Sequence, residues 1–322
     1  MKIVIAGGGV AAFEAANSAR KISPDAEITV ISSEKILPYR RPALSGMLGD
    51  FKINEKAFFI KPENFYAEQR IAVRLNTRCV VISKHSITLD DNSILEFDRL
   101  IIATGGAACR PPLAGAELPN VYTFRDFADL KVLDSTLKNI SSALIIGCGV
   151  LGLELAESMI KRNIRVTMLE KMPRIFAGKL SEAESAEVEA TLKNIPQLEL
   201  NFNCSVKELT PEGALLSDGR FFSADIIIFS AGSRPAFPEF QDIELKIGRG
   251  IIVDEKMRTS EENIFAAGDA AQLDERVFGL YNDARTTGMI AGTNAAGGDA
   301  SFSIGTASPV RCFCFGLRLV MP

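Results

Sequence analysis

Three glycines at fixed spacing, Gly147-x-Gly149-x-x-Gly152, stand between an apolar run at residues 143–146 and a helical pattern. A second β-rich run at residues 165–169 then ends on Glu170. Strand, tight turn, helix, strand and acid is the order that holds a dinucleotide. The first glycine allows the turn, the second lets backbone N–H groups approach a pyrophosphate, and the third lets helix and strand pack closely. Phosphate then meets the positive end of the helix. A carboxylate about 20 residues further on is placed to hold adenosine ribose hydroxyls. A bare structural turn accounts for the glycines but not for the strands and the acid around them.

The chain carries the pattern twice. Residues 3–6 run into Gly7-x-Gly9-x-x-Ala12, a helix follows, and residues 27–31 form the next strand. Alanine in the third position lies within the motif's tolerance. Two such cradles on one chain point to two dinucleotides, and the economical pair is a flavin and a nicotinamide that pass a hydride.

Positioning these residues takes more chain than the motifs themselves. At 322 residues two domains are expected, each with material for a core. A formal net charge of −4 and a pI near 5.4 argue against a nucleic-acid surface. No apolar segment is long enough to span a bilayer, and a first strand starting at residue 2 leaves no room for a signal peptide. A soluble cytoplasmic protein is the expectation. The six cysteines, Cys79, Cys109, Cys148, Cys204, Cys312 and Cys314, include no CxxC, which fits a reducing compartment and argues against zinc. The single histidine, His85, falls in a turn at residues 83–86 without a sequence partner to orient it and reads as a surface turn residue, which argues against hydrolytic triad chemistry.

The connecting segments add candidates. Residues 35–45 form a proline-broken loop in which Arg40 or Arg41 reaches an anionic pyrophosphate, or forms a solvated surface pair. Residues 51–75 read as an amphipathic helical connection to a short strand. Residues 78–102 alternate as β structure, with turns at 83–86 and 90–93. The run 100–106 ends a strand on small residues. Pro111-Pro112 marks a crossing between domains, and residues 229–235 close the second unit much as 103–111 close the first stretch. Between them come a helix at 181–194 and strands at 199–209, 214–216 and 226–230. Asp269 ends the apolar strand at 264–268, where an acid faces a polyhydroxyl ligand or serves as a plain helix cap. A helix from 282 packs through small residues and ends at Gly297-Gly298. Residues 303–322 contain an alternating strand in which Cys312 and Cys314 point the same way.

Taken together, Gly7-x-Gly9-x-x-Ala12, Ala-Thr-Gly at 103–105, Gly147-x-Gly149-x-x-Gly152 with Glu154 and Glu170, Ala231-Gly232-x-Arg234-Pro235 and Gly268-Asp269 resemble the pyridine nucleotide-disulfide oxidoreductase flavoproteins. The segment from Ser33 through Arg41 to Ser45 looks most like their NADH:rubredoxin oxidoreductase branch. The resemblance implies an α/β, glutathione-reductase-like fold of two Rossmann-like dinucleotide-binding domains. An FAD domain would be built from 1–106 and 233–305, an NAD(H) domain from 107–232, and residues 306–322 would begin a largely absent C-terminal interface domain. It implies FAD on Gly7, Gly9, Val10 and Ala12, with Ser33 and Glu34 at the adenosine, Arg41 by the phosphates and Val80 near the adenine. Thr104 and Gly105 would lie near the flavin, Asp269 on the ribityl chain, and Tyr281 at the start of a helix facing the flavin pyrimidine. It implies NADH on Gly147, Gly149, Val150, Leu151 and Gly152, with Glu170 on its ribose and Glu154 and Gly232 near the nicotinamide. An acid at 170 favours NADH over NADPH.

Departures from the family pattern bear on the reaction. Lys35 stands where disulfide-reducing members keep a cysteine, so no thiol relay beside the flavin is expected. The expectation is therefore hydride transfer from NADH to flavin and electron release to rubredoxin or a similar small carrier. Arg40, Arg285, Arg311 and Arg318 are candidates for a cationic docking rim. The alternatives are an NADH oxidase or disulfide reductase, and a non-catalytic flavin-binding redox sensor or subunit.

Overall fold

A computed structural model describes residues 1–49, 55–303 and 308–321. They fall into two compact units, Met1–Arg41 with Asn54–Ala107 and Arg234–Ser308, and Pro42–Ile53 with Ala108–Ser233 and Pro309–Pro322. The division departs from the expected boundaries at both short segments, Pro42–Ile53 and Pro309–Pro322, which join the second unit.

In the first unit, Lys2–Ala6 is parallel to Glu27–Ile31 on one side and to Arg99–Ile102 on the other. A strand covered on both faces needs an unbroken apolar run, and Ile3, Ile5 and Ala6 are fully buried. Ile71–Arg74 and Ile264–Ala266 extend the sheet to five parallel strands. The helices Val10–Ile22 and Tyr281–Ala295 pack on each other through glycine. A Cβ on Gly288 would lie 2.3 Å from the Ala11 carbonyl oxygen, and one on Gly292 would lie 2.1 Å from that of Ala15. Only a residue without a side chain allows that approach. A smaller sheet is formed by Cys79–Ile82, Ser86–Leu89 and Ile94–Glu96, with Glu239–Phe240 beside the first. Its first hairpin turn holds His85, exposed as expected.

The second unit repeats the plan. Ser142–Ile146 lies between Arg165–Leu169 and Ile226–Phe229, with Leu198–Asn201 and Val121–Thr123 at the edges, all parallel. The registers match as well: Ala6 pairs with Ile31 and Ile102 as Ile146 pairs with Leu169 and Phe229. The four strands around each glycine turn therefore share order and register, while the outermost strand comes last in chain order in the first unit, Ile264–Ala266, and first in the second, Val121–Thr123.

Several expected elements differ in detail. The strand expected at 199–209 is two, Leu198–Asn201 and Val206–Thr210, because Asn203 between them adopts φ 54° and turns the chain. The single strand expected within 303–322 is a hairpin, Val310–Cys312 against Leu319–Met321. Its turn places Phe315 and Gly316 at φ 51° and 77°, the left-handed pair of a type I′ turn, closed by the Leu317 N–H on the Cys314 carbonyl at 2.8 Å. The loop expected at 35–45 winds into a short 3-10 turn, Arg41–Ala43, and a helix, Leu44–Gly49. Of the connection expected at 51–75, residues 51–54 lie outside the described residues. The rest forms the helices Glu55–Phe58 and Glu63–Glu68 and the strand Ile71–Arg74. Among the described residues no helix is long and apolar enough to cross a membrane.

Candidate functional site

Each glycine turn is built by the same three backbone hydrogen bonds. The Gly7 N–H donates to the Ile31 carbonyl and the Gly147 N–H to that of Leu169, both at 2.8 Å. The Ala103 N–H meets the Ala6 carbonyl as the Ser230 N–H meets that of Ile146, again at 2.8 Å. Phe13 and Leu153 close the first helical turn on the carbonyls of Gly9 and Gly149 at 3.1 Å. Gly7 and Gly147 have φ of 141° and 111°, and a Cβ on them would lie 2.0 and 2.4 Å from the carbonyl oxygens of Ala103 and Ser230. Gly152 is equally constrained, its Cβ falling 2.4 Å from the Gly147 oxygen. Ala12, fully buried, carries its methyl at the matching place in the first unit.

Gly9 and Gly149 behave differently. Both are helix N-caps with ordinary negative φ, and a Cβ on either would meet nothing within 4 Å. No protein contact demands glycine there, so the space kept free suits an outside group. Neither helix has a side-chain cap or an acid in its first turn. Their first N–H groups and positive dipole ends are left for an anion. By this test both turns fit a pyrophosphate. Val10 is buried beside the first turn, while Val150 and Leu151 are half-buried at the second.

Around the first turn, Ser33 is exposed and Glu34 half-buried at the end of Glu27–Ile31. The Glu34 carboxylate accepts from the Tyr39 hydroxyl at 2.8 Å and pairs with Arg41 at 2.7 Å, and the Arg41 guanidinium lies 5.4 Å from the Tyr39 ring centroid. Arg41 is therefore paired with Glu34. Arg40 donates to the carbonyls of Ala57 and Phe59 at 2.9 and 2.8 Å. Ser32, not singled out from sequence, is buried against Gly8, whose Cβ would lie 2.0 Å from the Ser32 oxygen, and that oxygen accepts the Glu34 N–H at 3.2 Å. A small residue opposite a glycine is the only signal it leaves in the sequence.

The remaining first-unit candidates lie within or just beyond strands. Val80 occupies a register shift between Cys79 and Val81. The Thr104 hydroxyl donates to the Ala236 carbonyl at 2.5 Å, and Gly105, at φ 73°, accepts the Ala236 N–H at 3.1 Å. Asp269 is half-buried in the 3-10 turn Gly268–Ala270. That turn is pinned by the Gly268 N–H on the buried Thr287 hydroxyl at 2.9 Å, near the start of the helix opened by Tyr281. The buried Asp283 in that helix pairs with Arg276, an ion pair that no sequence pattern announced.

In the second unit, the Glu170 carboxylate accepts the Cys148 N–H and the Met172 N–H, each at 2.9 Å. The acid at the end of the strand is thus hydrogen-bonded to the middle of the glycine turn. Gly232 is exposed at φ 84° and its carbonyl accepts the Cys109 N–H at 2.9 Å. Glu154 faces Leu44–Gly49: the Ser45 hydroxyl donates to it at 2.7 Å, and the buried Ser158 hydroxyl donates to the Ser45 carbonyl at 2.7 Å. Burial pushes the Glu154 carboxyl above its ordinary range, and the Ser45 hydrogen bond opposes that rise. No local pattern links Ser45 to this acid, since hydroxyl and carboxylate lie 109 positions apart.

Rubredoxin-NAD(+) reductase of Pseudomonas putida is 33% identical over 288 residues, spanning 87% of this chain and 74% of that protein. Crystalline NADH:rubredoxin oxidoreductase from Clostridium acetobutylicum superposes with a TM-score of 0.81 at 28% identity, over 96% of this chain and 78% of that one. A ferredoxin reductase from Rhodopseudomonas palustris gives 0.84 at 25% identity, over 94% and 78%. Residues 1–288, which hold both glycine turns, Glu154, Glu170 and Asp269, match the pyridine nucleotide-disulphide oxidoreductase family, and the chain belongs to it.

Proposed function

We propose that this enzyme takes hydride from NADH through a bound FAD and passes the electrons singly to rubredoxin or a similar small carrier. The observation that carries the reading is the pair of Gly9 and Gly149, glycines that no protein atom requires, each at the uncapped start of a helix. Names of relatives add weight: one reduces rubredoxin with NAD as partner, another is titled a ferredoxin reductase.

In this reading FAD is held by the first unit. Gly7, Gly9, Val10 and Ala12 receive its pyrophosphate, Ser33 and Glu34 its adenosine ribose, and Val80 its adenine. Thr104 and Gly105 flank the flavin, Asp269 meets the ribityl hydroxyls, and the helix begun by Tyr281 offers its positive end. Arg41 screens Glu34 and the phosphates together. When bound, the flavin supplies a centre that accepts two electrons at once and releases them one at a time. Gly147, Gly149, Val150, Leu151 and Gly152 then hold NADH. Glu170 accepts from its ribose hydroxyls while fixed by the Cys148 N–H, and a ribose phosphate there would meet a fixed negative charge. Glu154 and Gly232 orient the nicotinamide. Catalysis rests on positioning rather than on proton transfer.

The test is steady-state turnover of the FAD-loaded protein with NADH and purified rubredoxin. Sustained reduction of many equivalents of carrier supports the proposal, whereas a single reduction without cycling would mark a redox sensor.

A further inference from the structure

We infer that Cys312 and Cys314 form a redox dithiol that a small hydroperoxide closes to an intramolecular disulfide. Their sulfurs lie 3.3 Å apart. Cys312, the last residue of the strand Val310–Cys312, and Cys314, just past its end, are 0% and 2% exposed, while Phe313 between them is 62% exposed. The separation is held from two directions. The hairpin ladder pairs Cys312 with Leu319, and the left-handed turn at Phe315 and Gly316 fixes the chain just beyond Cys314. That turn is anchored in turn by the helix Val150–Ile160, whose Glu157 carboxylate accepts the Phe315 N–H at 2.7 Å. A disulfide needs the sulfurs at about 2.05 Å, so closing the bond asks for a movement of about 1.2 Å at the hairpin.

The two thiols are not equivalent. A hydrogen bond from Cys314 holds the Cys312 thiol below its ordinary range against burial and the nearby Glu154 and Glu157 charges, and the same coupling with burial pushes Cys314 up. Cys312 is thereby the attacking sulfur and Cys314 the resolving one. At 0% and 2% exposure neither sulfur is open to a bulky disulfide, and the hairpin movement that closes the bond must also admit the oxidant, so the reactant is a small one, hydrogen peroxide. The Cys312 thiolate attacks one peroxide oxygen, so an S–O bond forms, the O–O bond breaks, and hydroxide leaves and is protonated to water. Cys314 then attacks the Cys312 sulfur, an S–S bond forms, the S–O bond breaks, and the departing hydroxide takes the Cys314 proton. Two thiols lose two electrons and one peroxide becomes two waters.

Arg311 and Arg318 allow a direct test, because trypsin releases residues 312–318 with both cysteines and no other. The intact protein is treated with hydrogen peroxide, quenched with catalase, unfolded, alkylated and digested. The expected peptide is unalkylated, lighter by two hydrogen atoms, and restored to a doubly alkylated form by dithiothreitol. In Cys314→Ser the expected product is a Cys312 sulfenic acid trapped by dimedone. The proposal is overturned if the wild-type peptide stays doubly alkylated, if it carries only sulfinic or sulfonic acid, or if either sulfur pairs with one of the other four cysteines. The wild-type peptide decides even if the variant does not fold.

Discussion

Gly147 and Gly149 separate what the fold needs from what a ligand needs. Gly147→Ala sets a Cβ against a carbonyl oxygen at positive φ, so a stability loss of about 1–3 kcal/mol is expected in urea unfolding. Gly149→Ala meets no atom, and its stability should stay within about 1 kcal/mol of the parent, the unfolded-state entropy gain offset by alanine's disadvantage at a helix N-cap. Its affinity for NADH should nevertheless fall tenfold or more; unchanged NADH binding would contradict the assigned cradle. Glu154 gives a second residue-scale prediction. Its folded pKa is raised by burial, so its contribution to stability is present below the unfolded carboxyl value of about 4.3 and lost as pH rises through the folded one. Glu154→Gln should therefore raise the Tm above that window and give no comparable gain at lower pH. Ser45→Ala, which removes the opposing hydrogen bond, should lower the Tm increasingly as pH rises. A pH-independent difference in both variants would refute the account of this carboxyl. The glycines and Glu170 were legible in sequence because their spacing is local. Ser32, Ser45 and Ser158 were not, because a hydroxyl's partner is chosen by packing between distant segments.

At the scale of elements, the two glycine-turn helices and their flanking strands form where hydrophobic patterning places them. Elements depart from the hydrophobic pattern where a residue in left-handed conformation resets the chain, as at Asn203 and at Phe315 with Gly316. Asparagine there leaves a faint signal, whereas phenylalanine at positive φ leaves none, since its own preference opposes the conformation. The short helix Leu44–Gly49 was hidden by the prolines before it. The helix pair Val10–Ile22 and Tyr281–Ala295 rests on backbone-to-backbone approach, and small residues in the second helix were readable as a packing face. Gly288→Val should cost more than about 3 kcal/mol in denaturant unfolding, because the new atoms meet backbone that has no rotamer to yield. A variant as stable as the parent would show that these helices do not pack as described.

For the whole molecule, two five-stranded parallel sheets in matching register, each with an uncapped glycine-turn helix, account for why one chain would hold two dinucleotides. The cofactor preference belongs at this scale, since it decides which reductant pool the enzyme draws on. Glu170→Ala should narrow the preference for NADH over NADPH by about tenfold, equivalent to about 1.4 kcal/mol, in the ratio of kcat/KM values. An unchanged ratio would remove Glu170 from the ribose. The most direct measurement of the central claim is the visible absorbance of the FAD-reconstituted protein, mixed with NADH under anaerobic conditions in a stopped-flow instrument. The flavin band is expected to bleach, and to do so faster than with NADPH. Protein that takes up no flavin, or a flavin band that NADH leaves unchanged, would contradict the account.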